Sequence, residues 1–127
     1  MNSDKQRIAI AEYCGWKDVR GVTHLGIPPE NGMLFPYPEH HEEDWRLKPF
    51  HGIPDYLNDL NAMHEAEKML YNDKNQSERY AEFLLDVLEV PSPFIGTARC
   101  AFLTNHATAA QRAEAFLKTI GKWEDGA

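Results

Sequence analysis

The spacing of apolar residues changes period several times along the chain, and each change marks a predicted element. Ile8, Ile10, Ala11 and Cys14 share one broad arc at about 100° per residue, which predicts a short helix over about Asp4–Cys14. Ser3 is placed to cap it, Gln6 completes a capping-box spacing, and Gly15 supplies a left-handed stop. Trp16 is expected to fold back as an apolar plug. Val19, Val22, Thr23 and Leu25 predict an extended segment over Asp18–Leu25, weakened at Gly21. The clearest helix covers about Leu57–Tyr71, and a turn at Asn72–Asn75 leads to a second over Ser77–Glu89. That second helix has capping-box spacing at Asn75 and Glu78, buries Tyr80, Phe83, Leu84, Val87 and Leu88, and ends at Val90-Pro91-Ser92-Pro93. Alternation over Phe94–Thr104 predicts a strand, with Ala98, Cys100 and Phe102 on one face. A last helix starts at Thr108 with Gln111 at the box position, buries Ala113, Phe116, Leu117 and Ile120, and stops at Gly121.

Between Gly26 and Gly52 the periodicity is lost. Pro28, Pro29, Pro36, Pro38 and Pro49 break any long helix there. Asn31-Gly32 is a turn signal before a short predicted strand at Met33–Phe35. A long irregular insert in a compact domain is commonly functional or mobile. The pattern as a whole predicts an α+β fold, a small α/β/α layered sandwich of about three mostly antiparallel strands flanked by about four helices. It is a single domain over 1–127 with a long variable loop at about 26–52.

Composition narrows the class. With 43% hydrophobic and 26% charged residues, wholesale disorder is excluded. No apolar run approaches the ~18–20 residues of a membrane span, and the apolar stretch Ile8–Ala11 is too short for a signal peptide. The expectation is a soluble cytoplasmic protein, in the host cell's cytoplasm if phage-encoded. A net charge of −7 disfavours nucleic acid as a partner, because affinity for it depends on neutralising phosphates. Cys14 and Cys100 form no CxxC or zinc spacing, so two free thiols are preferred to a disulfide.

Catalytic signatures are sparse. Asp59 falls within the apolar arc of Tyr56, Leu60, Ala62, Met63, Ala66, Met69 and Leu70. A carboxylate there is costly unless it is bonded, and the start of a helix offers backbone N–H groups, so capping is preferred to catalysis. His64 opens His64-Glu65-Ala66-Glu67, but Lys68 stands where a zinc-protease helix needs its second His. It reads as a boundary histidine bonded to a neighbouring carbonyl or carboxylate, while Glu65 and Lys68 read as a solvated face. Arg99 and Arg112 could pair with Asp59 or Glu67, or clamp an anion; internal pairing is preferred. Asp59, His64, Glu67 and Arg99 are therefore weak catalytic candidates, with no nucleophile–base pair, P-loop or cofactor loop beside them. His40, His41, Glu42, Glu43 and Asp44, with His51 beyond them, form the densest group of metal-ligand types. Neighbouring residues of an extended loop point apart, so no metal and no cofactor is expected.

The stretches Ile53–Lys68 and His106–Leu117 carry a resemblance. Pro54-x-Tyr56-x-x-Asp59-x-x-Ala62, the late Ala-rich helix and Gly15-Trp16 resemble small phage and prophage proteins with the phage α-β-α (ABA) sandwich domain. The resemblance implies a layered sandwich and a phage or prophage origin. It implies no activity.

The leading expectation is a small, acidic accessory protein, more a binder than an enzyme, that engages a host protein or sequesters a small ligand, with an anti-defence role within its scope. Tyr37, His40, His41, Glu42, Trp45 and Phe50 are the candidate binding residues, because loops on rigid scaffolds carry recognition. Aromatic groups supply contact area and acidic groups favour a basic partner. Two alternatives stand beside it: a small hydrolase or nucleotide-processing enzyme using Asp59, His64, Glu67 and Arg99, and a homo-oligomeric structural or assembly protein.

Overall fold

A computed structural model describes residues 1–20, 24–29 and 51–125 of the chain. The first helix, α1, spans Ser3–Tyr13. Its cap is Asn2 rather than the expected Ser3, because the Asn2 side chain accepts from Lys5 N at 2.8 Å. Gln6 turns its amide to the Met1 carbonyl at 3.1 Å and closes no box. The helix stops where the sequence places the stop. Gly15 has φ +101°, and Trp16 N donates to Ala11 O at 3.0 Å, the closing bond of a Schellman turn. That turn swings Trp16 back into the core, where it is buried.

The sheet follows directly. β1 (Lys17–Arg20) pairs antiparallel with β2 (Leu25–Ile27), and β2 with β3 (His51–Gly52), in the order β1-β2-β3. The register sets Lys17 opposite Ile27 and Leu25 opposite Gly52, with an irregularity between Lys17 and Arg20. Gly26 is closely packed at the centre of β2, where a side chain would make its neighbours give by a few tenths of an ångström. A Cβ there would come within 3.2 Å of both Trp16 and Val19 and 3.3 Å of Ile53. The extended reading of Asp18–Leu25 thus resolves into parts of two strands. The predicted turn and strand at Asn31–Phe35, and Gly21, lie outside the described residues.

Helix α2 spans Leu60–Glu67 and continues as a 3₁₀ turn to Leu70. It begins later than the expected Leu57 because Asp59 caps it, accepting from Asn61 N at 3.0 Å and Ala62 N at 3.3 Å. Helix α3 spans Lys74–Val87. Its cap is Asp73 rather than Asn75, and its exit is Glu89 at φ +55°.

The predicted strand at Phe94–Thr104 is replaced by helix. A 3₁₀ turn, Ser92–Phe94, and helix α4, Ala98–Asn105, occupy it. Gly96 at φ +85° breaks the chain direction, and Thr97 Oγ1 then accepts from Cys100 N at 3.3 Å as an N-cap. Alanine, arginine and leucine favour helix once it is nucleated, and the apparent alternation rested on small residues that suit either form. Helix α5, Ala109–Thr119, carries the full Thr108/Gln111 capping box. Gln111 N donates to Thr108 Oγ1 at 3.1 Å, and Thr108 N to Gln111 Oε1 at 2.9 Å.

Helix α5 is the axis of the core, packing against α1, α2 and α3. Phe116 is fully buried and meets Tyr13 and Tyr80 edge-on, with centroids at 5.6 and 6.5 Å. Ile10, Ile53, Met63, Leu70 and Leu117 complete the buried set. The result is a small α+β fold of three antiparallel strands and five α-helices among the described residues.

Candidate functional site

The four weak catalytic candidates do not form one site. Asp59 spends a carboxylate oxygen on the amides that open α2. Arg99 stands on α4 with its guanidinium 4.9 Å over the Phe94 ring. Among the described residues, no hydrogen bond or ion pair joins it to the other three. His64 and Glu67 do meet, one turn apart on α2, with Nδ1 at 3.1 Å from Oε1. The alignment is poor, so that oxygen receives no hydrogen bond, and the contact is electrostatic only.

Glu67 is nevertheless the centre of a buried network. It is 7% exposed, although its neighbours in sequence suggested a solvated face. Arg112 Nη1 donates to Glu67 Oε2 at 3.2 Å, and the Tyr80 hydroxyl donates to the same oxygen. Arg112 turns its remaining donors to Ala107 O at 3.2 Å and Thr104 O at 2.8 Å. Burial, then the Glu67 carboxylate, push the Tyr80 phenol well above its ordinary range. The arginine and the phenol are both spent on Glu67 Oε2, while Oε1 is buried without a hydrogen bond. Glu65 and Lys68, by contrast, form an exposed pair at 2.7 Å, and that pairing raises the lysine pKa.

A concave feature lies elsewhere among the described residues, between the end of α1, the segment before α2 and one face of α2. It is a cavity of about 200 Å³ walled by Cys14, Trp16, Pro54, Tyr56, Ala66 and Met69, with the Glu65–Lys68 pair at its edge. The Schellman turn places Cys14 and Trp16 there, and the bend at Ile53–Tyr56 brings Pro54 and Tyr56 opposite. Arg7 fixes that bend by donating from Nε to Pro54 O at 2.9 Å and from Nη2 to Ile53 O. Cys14 faces Tyr56 through a side-chain hydrogen bond, but burial outweighs it and pushes the thiol up to about 12. A thiol so held is neutral at physiological pH and stands partly exposed in the cavity wall. Both cysteines are free.

Sequence reasoning named none of these wall residues as a site. Gly15-Trp16 and Pro54-x-Tyr56 were visible as apolar punctuation, and only the fold brings them together. The candidate binding residues Tyr37, His40, His41, Glu42, Trp45 and Phe50 lie outside the described residues, as do Glu43 and Asp44. Among the described residues no group of three or more His, Cys, Asp or Glu side chains could hold a metal ion, and no helix is long and apolar enough to cross a membrane. No protein-family model matches the chain, and no curated protein or solved structure is significantly similar to it.

Proposed function

We propose that the chain is a non-catalytic binding protein, an accessory factor of phage or prophage origin, that sequesters a small, largely apolar ligand in the cavity walled by Trp16 and Tyr56. The cavity itself carries this reading: it is concave and aromatic-walled, and its one thiol is held protonated. Pockets for drug-sized ligands run to ~300–1,000 Å³. At about 200 Å³ this one suits a molecule with a single ring or a short aliphatic chain. The ion pair at the edge gives such a ligand one polar anchor. The phage origin rests on the sequence resemblance at Pro54–Ala62 and Gly15-Trp16.

The test has two arms. Native mass spectrometry of the protein drawn from infected or lysogenic cells should show a small adduct. Indole and benzene, titrated into the purified protein, should shift the indole N–H resonance of Trp16 and the methyl resonance of Met69. Ala66→Leu fills the cavity and should weaken probe binding by at least about tenfold with the fold intact, since the three added carbons compete for the same volume. Absence of any adduct together with no probe binding at millimolar concentration would overturn the reading, as would turnover of a probe.

A further inference from the structure

The cavity has a charged edge, and the two charges there are not equivalent. Ala62, Glu65, Ala66 and Met69 follow one another at i, i+3, i+4 and i+7, so they form one stripe along α2 and its 3₁₀ continuation, and all four line the cavity. Lys68 also borders the cavity, but from the flank of that stripe. Its side chain is 54% exposed against 26% for Glu65, which sets the ammonium toward solvent and the carboxylate toward the cavity. Lys68 Nζ donates to Glu65 Oε1 at 2.7 Å. Among the described residues no donor reaches Oε2, so that oxygen is an acceptor at the cavity's edge. The rest of the wall has the same polarity. Trp16 and Tyr56 bring aromatic rings, whose π systems attract a cation and repel an anion, and Cys14 and Met69 bring polarisable sulfur.

Resting on the reading of this cavity as a ligand site, we infer that its ligand is an organic ammonium. A single ring or short aliphatic body lies among Trp16, Tyr56 and Met69, and the charged nitrogen donates to Glu65 Oε2. A carboxylate ligand is opposed twice: it meets the Glu65 charge before it reaches Lys68, and its own charge lies against aromatic rings. An ammonium takes Oε2 while Lys68 keeps Oε1, since a carboxylate accepts at both oxygens. Two cations then flank one carboxylate, so Lys68 limits the affinity that Glu65 supplies. The chain's net charge of −7 adds a long-range attraction of the same sign but selects no site by itself.

Three probes of similar size and different charge test the inference at neutral pH. Benzylamine, benzyl alcohol and benzoate are titrated to millimolar concentration, with the Trp16 indole N–H and Met69 methyl resonances as readouts. Benzylamine should bind at least about fivefold tighter than benzyl alcohol, the worth of one partly solvated charge-assisted hydrogen bond, and benzoate should bind weakest. Glu65→Gln should bring benzylamine down to the alcohol's level and leave the alcohol's affinity unchanged. Lys68→Met removes the competing cation and should tighten benzylamine by about threefold, with no effect on the alcohol. Glu78→Gln removes a negative charge from α3, at a side chain 63% exposed, and should change nothing. Benzyl alcohol binding with benzylamine no tighter, or benzoate binding tightest, overturns this inference and leaves the cavity a ligand site. So does a benzylamine preference that survives Glu65→Gln, that weakens in Lys68→Met, or that falls as far in Glu78→Gln as in Glu65→Gln, where net charge would be the cause. No binding of any of the three overturns both readings.

Discussion

At Cys14 one side chain shows how burial sets chemistry. Its ordinary pKa of 9.0 is raised to about 12 by desolvation, with the Tyr56 hydrogen bond acting weakly the other way. Tyr80 is raised from 10.0 for the same first reason. The sign follows from linkage. Below pH 9 both groups are neutral in folded and unfolded chains alike, and the stability tied to them is fully present. Above it the unfolded chain sheds protons that the folded chain keeps, so stability falls with rising pH by up to ~1.4 kcal/mol per unit for each group. Urea midpoints measured from pH 7 to 11 should decline from about pH 9, and Cys14→Ala should make the decline shallower below pH 12. An identical slope in that variant would show that the thiol pKa is not raised in the folded chain. The same burial predicts slow chemistry. At pH 8, alkylation of Cys14 in the folded protein should be at least about 100-fold slower than in the denatured chain, read by peptide mass spectrometry.

At the level of elements, capping residues decide where helices start. Asp59 and Thr108 make comparable contacts on α2 and α5. Asp59→Ala and Thr108→Ala should each cost about 1 kcal/mol, while Asp59→Asn, which still accepts from the amides, should cost a few tenths and leave probe binding unchanged. A binding defect in Asp59→Asn at full stability would instead give the carboxylate charge a role in the cavity. The Thr108-x-x-Gln111 box was legible in the sequence because one residue there could cap and its partner stood at the right spacing. At Asn2-Ser3 and Asp73–Asn75 several side chains could cap, and spacing alone chose the wrong one. Phe94–Thr104 was misread because small residues alternate as readily in either form, although Gly96 and Thr97 carried the helix-start signal. Glu67 was legible in principle: it follows Met63 by four positions and precedes Leu70 by three, which puts it on the buried face whatever its charge. The cavity was not legible, since its walls come from segments some 40 residues apart.

Across the whole molecule, the Glu67–Arg112–Tyr80 network holds the helices to one another. It joins α2 to α5 through Arg112 and to α3 through Tyr80, and Arg112 also ties down the end of α4 by its bonds to Thr104 O and Ala107 O. The last tie matters most, because α4 has little else buried. Arg112→Met leaves the buried Glu67 carboxylate without its cation and takes the arginine donors from Ala107 O and Thr104 O, the latter keeping Ala107 N. It should cost about 3–5 kcal/mol, a large share of a small domain's total. Adding Glu67→Leu removes the stranded charge and should restore more than half of that loss, but not all of it, because Ala107 O and Thr104 O still lack the arginine and the Tyr80 hydroxyl loses its acceptor. Urea denaturation with an unchanged m-value measures both steps. The residual deficit has a location. Native-state hydrogen exchange in the double variant should be faster at Phe102–Asn105 on α4 than at Tyr80–Leu84 on α3, since α3 keeps its packing on α5 while α4 loses its anchor. Equal acceleration on both helices would mean that α4 is secured by something other than the arginine.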